Sequence, residues 1–181
     1  MGTYIGLVRG INVGGNKIIK MEDLRASFED LGLKGVKTYV QSGNVVFSCP
    51  KISNDKLAKK LEIKILEDFR FSASVIVKTK DDFEKMISRN PFSKKGISQK
   101  TLYVTLLSRA PDPTVLKNLK KLKAKNEIFH VDGATIYLCY RNGYGKAKLT
   151  NNVFEKVCLT PATTRNWNTV NALYEMSAQY L

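Results

Sequence analysis

Val36-Lys37-Thr38-Tyr39-Val40-Gln41-Ser42-Gly43-Asn44-Val45-Val46-Phe47 decides the fold. Two runs rich in β-branched and aromatic residues, Val36 to Val40 and Val45 to Phe47, read as strands. Between them Gln41-Ser42-Gly43-Asn44 is turn chemistry, since glycine and asparagine tolerate backbone angles that other residues avoid. The segment is a hairpin.

Helical spacing lies on both sides of it. Met21, Leu24, Phe28 and Leu31 recur at that spacing before the hairpin, and Gly32 stops them. After it, Pro50 and Ser53 lead into a helix with Leu57, Leu61, Ile65 and Phe69 on one face. Tyr4 to Val8 is a buried strand at the start and Val75-Ile76-Val77 a fourth strand at the end. The order βαββαβ is the split unit of a ferredoxin-like sandwich. Asp81-Asp82 is expected to cap a trailing helix carrying Phe83, Met86 and Ile87, which stops at Asn90-Pro91.

The pattern then repeats. Leu102 to Leu107 is a strand, and Asp112-Pro113 starts a helix facing inward with Leu116, Leu119 and Leu122. Ile128 to Val131 and Thr135 to Tyr140 flank Asp132-Gly133 as a second hairpin. Leu149, Val153, Phe154 and Val157 mark a helix, Ala162 to Arg165 a last strand, and Val170, Leu173 and Met176 a terminal helix. The reading is α+β, with two tandem ferredoxin-like (βαββαβ) subdomains, each followed by an extra helix. Residues 1–90 form the first subdomain, 91–100 a linker and 101–181 the second.

Composition bounds the chemistry. The 181 residues are 43% hydrophobic and 25% charged, as in an ordinary soluble protein. No apolar run approaches the roughly 20 residues that span a bilayer, and Met1-Gly2-Thr3 enters a strand without the basic and apolar regions of a leader. A cytoplasmic protein with no membrane partner is expected. Cys49, Cys139 and Cys158 are far apart and read as buried thiols, and His130 is the one histidine. Neither a metal site nor a cofactor is expected. Thirty Lys and Arg against sixteen Asp and Glu leave +14, a charge that attracts polyanions.

Two polar clusters concentrate the candidate binding residues. Strands one and two run parallel in the expected topology, with strand three antiparallel between them. The loop after strand one therefore shares a sheet end with the first hairpin, which brings Arg9, Asn12 and Gly14 towards Gln41, Ser42 and Asn44. By the same logic the loop with Lys146 and Lys148 meets Thr164, Arg165 and Asn166 at the end of the last strand. Arginine, lysine, amides, hydroxyls and glycine N–H groups suit an anion. Gly143-x-Gly145-Lys146, expected at a helix N-terminus, adds a dipole, but Ala147 stands where a phosphate-binding P-loop needs Ser or Thr. Turns and caps explain the same residues without any ligand.

Tyr4 to Gly15, Tyr39-Val40-Gln41-Ser42-Gly43-Asn44-Val45, Asn90-Pro91-Phe92, Gly145 to Leu149 and Thr163 to Val170 together resemble the bacterial domain-of-unknown-function family 1697. The family's motifs read approximately R-G-I-N-V-G-G, Y-I-Q-S-G-N-V, N-P-F, G-R-S-K-L and A-T-T-R-N-W-N-T-V. In the fourth, Lys146 replaces the family's arginine and Ala147 its serine, which removes a forked donor and a hydroxyl. The resemblance implies a two-part α+β fold and implies no activity.

Three functions remain open. The basic charge favours an anion binder with nucleic acid, or another phosphate-bearing ligand, as partner. In that reading Leu102 to Leu107, with Tyr103, partly resembles an RNA-binding strand, whereas the third strand, Thr135 to Tyr140 with Tyr137, does not resemble the partner motif with its glycines and spaced aromatics. Lys117, Lys120, Lys121 and Lys125 are expected on one helix face. An enzyme would hold a small anionic or nucleotide-like substrate between the subdomains with Arg9 and Arg165 as clamps, though no base or nucleophile stands at a telling spacing. A protein-interaction scaffold would use the polar motifs only to hold loops.

Overall fold

The computed structural model describes residues 1–93 and 96–180. In the first half β1 (Gly2–Val8), α1 (Met21–Asp30), β2 (Lys34–Tyr39), β3 (Asn44–Cys49), α2 (Asn54–Phe69), β4 (Val75–Thr79) and α3 (Lys80–Ser88) follow in order. The second half runs β5 (Leu102–Leu107), α4 (Pro113–Lys121), β6 (Glu127–Asp132), β7 (Thr135–Tyr140), α5 (Asn151–Cys158), β8 (Ala162–Asn166) and α6 (Trp167–Ala178). Each half builds one four-stranded antiparallel sheet, ordered β2-β3-β1-β4 and β6-β7-β5-β8. The class is α+β.

The chain divides into two compact units, Met86–Val170 and Met1–Lys85 together with the tail from Asn171. The tail belongs with the first unit, not with the second as its place in the sequence suggests. Tyr180 supplies the reason, because its hydroxyl donates to the carbonyl oxygens of Gly35 and, at 3.2 Å, of Val46. An amphipathic terminal helix does not announce which core it will cover. Of the expected linker, residues 94 and 95 lie outside the described residues, and Gln99–Thr101 is a short 3-10 turn.

In the first unit one face of the sheet presents Tyr4, Val8, Val45, Phe47, Val75 and Val77 to Leu24 and Phe28 of α1 and to Leu57, Leu61 and Ile65 of α2. Phe47 stacks on Tyr4 at 6.2 Å and meets Phe28 edge-on at 6.3 Å, the offset geometries that ring quadrupoles favour. The alternate residues Ile5, Leu7, Val46 and Ile76 are buried as well. A strand buried on both faces reads as an unbroken apolar run, which is how Tyr4 to Val8 reads.

Local chemistry sets the ends of these elements. Ser53 Oγ accepts the Lys56 N–H at 3.4 Å and caps α2. At α3 the cap is Thr79, not Asp81-Asp82. Its Oγ1 accepts the Asp82 N–H at 3.1 Å while Asp82 Oδ2 takes the Thr79 N–H at 2.9 Å, a reciprocal capping pair. Val40 was expected to end β2, yet it is exposed with φ +49 and belongs to the turn. The buried Asn90 accepts the Phe92 N–H at 2.9 Å, so the Asn-Pro-Phe segment is a side-chain-braced turn.

The second unit packs Leu107, Leu138, Tyr140 and Ala162 on Leu119 of α4 and on Phe154 and Cys158 of α5. Asp112 Oδ1 caps α4 by accepting the Val115 N–H at 2.9 Å, with Pro113 in the first turn. That helix ends at Lys121, so Lys125 does not share its face. Here too both sheet faces are buried, with Val104, Leu106, Tyr137 and Cys139 on the side away from that core.

Candidate functional site

The first polar cluster assembles as the topology requires, and most of it is spent on holding loops. Val8 donates its N–H to Gly43 O at 2.8 Å, which ties the end of β1 to the hairpin. Asn12, at φ +56, donates through Nδ2 to Ile19 O (2.9 Å) and Gln41 O (3.0 Å) and accepts the Ile19 N–H at 2.8 Å. Asn44 is fully buried and donates to Tyr39 O (3.1 Å) and Ser42 Oγ (2.8 Å) inside its own turn. Gly14 is exposed at φ +58, with open space where a Cβ would stand. These residues brace the loops.

Arg9 is placed differently. Its N–H donates to Ser74 O at 2.8 Å, which seats it beside the segment entering β4. There it lines a cleft of about 250 Å³ with Lys17, Lys59, Glu62, Ser72 and Ser74. Lys17 is held by its Nζ donating to Ser72 O at 2.6 Å and lies 5.8 Å from the centre of the Phe71 ring. Lys59 reaches over from α2, 3.9 Å from Glu62. Glu62 Oε1 in turn accepts the Val75 N–H at 3.0 Å. Exposed Ile63 and Leu66 form the apolar flank. Three cations thus line the cleft with one carboxylate already engaged by backbone, and Ser72 and Ser74 complete its polar wall.

Lys17, Lys59, Glu62, Ser72 and Ser74 were not singled out by sequence. The loop from Arg9 to Asn16 pointed to its neighbourhood. Lys59 is one of several lysines on a solvated helix face, and only the three-dimensional position of α2 separates it from the others.

The second cluster also assembles, but its anion is internal. Glu127 accepts the N–H groups of Lys148 (2.7 Å) and Leu149 (2.8 Å) through its two carboxylate oxygens. Gly143-x-Gly145-Lys146 forms a 3-10 turn over Tyr144–Lys146, and α5 begins only at Asn151, so the expected helix dipole is not at this loop. The side chains of Lys146 and Lys148 are exposed. Tyr144 stacks on Tyr103 at 5.3 Å, and Tyr140, against both, donates to Leu149 O at 2.5 Å. Burial, together with Tyr144, Glu127 and Tyr103, pushes the Tyr140 hydroxyl well above its usual range.

Thr164, Arg165 and Asn166 have structural partners in this cluster. Thr164 Oγ1 pairs with Thr105 Oγ1 at 2.6 Å and donates to Asn151 Oδ1 at 3.0 Å. Arg165 Nη1 donates to Thr163 Oγ1 (2.6 Å) and Thr164 O (2.9 Å). Burial lowers its guanidinium to about 10, with Tyr144 opposing, so the charge survives at neutral pH. Asn166 caps α6 by accepting the Thr169 N–H at 2.8 Å. Base stacking on the sheet has no platform at Tyr137, which is 1% exposed and donates to Met86 O at 3.0 Å.

The three cysteines are buried and free, and burial raises the Cys49 and Cys158 thiols. No helix among the described residues is long and apolar enough to cross a membrane. A family model described as protein of unknown function (DUF1697) matches residues 1–137, a span that contains every residue of the Arg9 cleft. Among solved structures, that of the conserved bacterial protein SP0830 from Streptococcus pneumoniae is similar, with 26% identity and a TM-score of 0.77. The match covers 97% of this chain and 98% of that one. Comparison with curated proteins gives no match.

Proposed function

The chain belongs to the DUF1697 family, whose description assigns no activity, and from that premise we propose that the cleft of Arg9, Lys17 and Lys59 binds a phosphate-bearing ligand, with nucleic acid favoured. The observation that carries this reading is the convergence of three cations and two serines on one cleft in which the only carboxylate is engaged by a backbone N–H. Guanidinium and ammonium groups beside hydroxyls match the oxygens of a phosphate. A cleft of about 250 Å³ suits a phosphate with its sugar better than a whole nucleotide. That size, and a net charge of +14, favour contact along a nucleic-acid backbone over recognition of a free base.

Each half is read as ferredoxin-like, supported by strand orders in which the first strand lies between the third and fourth. The protein is taken to work in the cytoplasm, where its three free thiols stay reduced. The alternative, an enzyme on a small anionic substrate, has less support, because Glu62 is the cleft's one acid and already holds Val75.

Fluorescence anisotropy with a labelled single-stranded RNA, titrated with salt, tests the proposal. Each phosphate neutralised contributes about −0.7 to the slope of log K against log salt for a single strand, and Arg9→Ala should flatten the slope. No binding at low ionic strength, or a slope unchanged in Arg9→Ala, would remove the cleft from the account. Equal affinity for heparin would reduce it to non-specific attraction.

A further inference from the structure

Each sheet has two edges, and an open edge strand offers its unpaired N–H and C=O groups to any other strand. On three of the four edges, other parts of the chain take some of the outward backbone groups. On β2 the ladder is irregular between Lys34 and Lys37, and Tyr180 bonds to Gly35 O. Along β4, Glu62 takes the Val75 N–H and Asp82 the Thr79 N–H. At β8, Glu155 Oε1 takes the Ala162 N–H at 2.8 Å, and Asn151 Nδ2 donates to Ala162 O at 3.0 Å.

The fourth edge, β6, has none of these devices. Its pairing with β7 is regular from Glu127↔Tyr140 to Asp132↔Thr135. The bond from Arg141 N to Asn126 O sets the phase of the ladder, so the N–H and C=O of Phe129 and Val131 point away from β7. Among the described residues no hydrogen bond reaches those groups. Beside them lies a groove of about 520 Å³ with Leu122, Ala124, Phe129 and Val131 as its apolar part and Lys120 and Lys123 at its rim.

We propose that β6 accepts an added strand from a protein partner whose segment alternates acidic and apolar residues. Strand addition draws affinity from main-chain bonds and specificity from alternate side chains. Charge selects the acidic partner. Lys120 and Lys123 line the groove, and Lys117, Lys121 and Lys125, on or just after the same helix, are exposed as well. The carboxylates at the two ends of the strand are engaged, Glu127 by the loop N–H groups and Asp132 by Arg89 at 3.5 Å. A second copy of this chain is disfavoured, because pairing β6 with itself would set two such lysine clusters side by side. This surface belongs to the second unit and does not depend on the Arg9 cleft.

The test uses the isotope-labelled full chain and a capped peptide of about eight residues alternating valine and glutamate, long enough to pair all of β6. A control peptide of equal charge carries proline in place of every valine and cannot complete a ladder. Amide exchange at Phe129 and Val131 should slow by at least about tenfold with the first peptide and stay unchanged with the second. Reversing two rim charges, Lys120→Glu with Lys123→Glu, should weaken peptide binding by about tenfold with little change in the unfolding midpoint. Equal binding of the two peptides would overturn the proposal. So would protection of the same amides by raised protein concentration alone, which would make a second copy the occupant, or by a single-stranded oligonucleotide.

Discussion

The carboxylate of Glu127 accepts the backbone N–H of Lys148 at 2.7 Å, and its second oxygen holds Leu149 at 2.8 Å. The loop's anion is therefore a side chain of the protein. Hydrogen bonds to a charged acceptor contribute about 1.5–3 kcal/mol each, less where water can replace them, as at the exposed Lys148. Glu127→Ala is expected to remove about 2 kcal/mol in all, which lowers the midpoint by about 4–8 °C in a chain of this size. Calorimetry of the variant checks it. An unmoved midpoint would show that the loop draws nothing from Glu127.

Glu62 and Glu155 play the same part in the two halves, each a carboxylate on a helix that takes the first N–H of the following edge strand. Only Glu62 also lines the cationic cleft. Glu62→Gln keeps an acceptor for Val75 and removes the cleft's negative charge. It should raise affinity for single-stranded RNA by a few-fold at low salt while changing stability by under about 1 kcal/mol. Weaker binding in this variant would mean that the carboxylate itself contacts the ligand.

Gly43→Ala separates backbone strain from steric clash. Gly43 sits at φ +71, and an added Cβ would lie 2.8 Å from Val8 Cβ and 3.0 Å from Val8 O. Gly10 has a similar φ of +68 with nothing within 4 Å. Left-handed strain alone costs about 1–2 kcal/mol, which is the loss expected for Gly10→Ala. The clash should carry Gly43→Ala past about 3 kcal/mol. Denaturant midpoints of the two variants measured together decide the matter, and equal losses would leave no role for the close approach to Val8.

Asp82 supplies an acid-sensitive contact. Burial opposes its ionisation, but hydrogen bonds from Thr79 and Asn54 outweigh burial and hold the carboxyl below its usual range. A depressed carboxylate contributes stability above its unfolded value, near 3.9, and loses it as pH falls through the folded value. The wild-type midpoint should therefore drop more steeply below about pH 4 than that of Asp82→Asn. Parallel curves for the two proteins would show that the capping pair is not coupled to protonation.

Much of the fold was legible because two periodicities, of strands and of helices, alternate cleanly on either side of two turn signals. Where the reading missed, partners distant in sequence decided the outcome. Tyr180 returns to Gly35, Thr79 caps α3 ahead of the acidic pair, and α5 starts beyond the glycine loop. For the site, topology correctly brought the loop of Arg9 to the hairpin of Asn44. It could not tell that Asn12 and Asn44 are consumed by carbonyls, nor that Lys59 on α2 overhangs Arg9's cleft. Side-chain direction carried that information.

Arg9 and Arg165, paired by sequence as ligand-holding residues, occupy different surroundings. Arg9 lines a cleft with Lys17 and Lys59. Arg165 donates to Thr163 and Thr164 on its own strand, and burial lowers its guanidinium. Lysine keeps the charge at either position and loses the planar fork. Arg9→Lys is therefore expected to weaken RNA binding several-fold with the midpoint nearly unmoved, because the altered geometry faces the cleft proposed to hold the ligand. Arg165→Lys should do the reverse. The lysine ammonium stops one bond short of the Nη1 position and cannot reach both Thr163 Oγ1 and Thr164 O from the same backbone, so about 1–3 kcal/mol should be lost with binding intact. Melting and anisotropy on the same two variants test both statements. A midpoint drop of equal size in both would make Arg9 a brace like Arg165 and leave Lys17 and Lys59 to hold the anion without it.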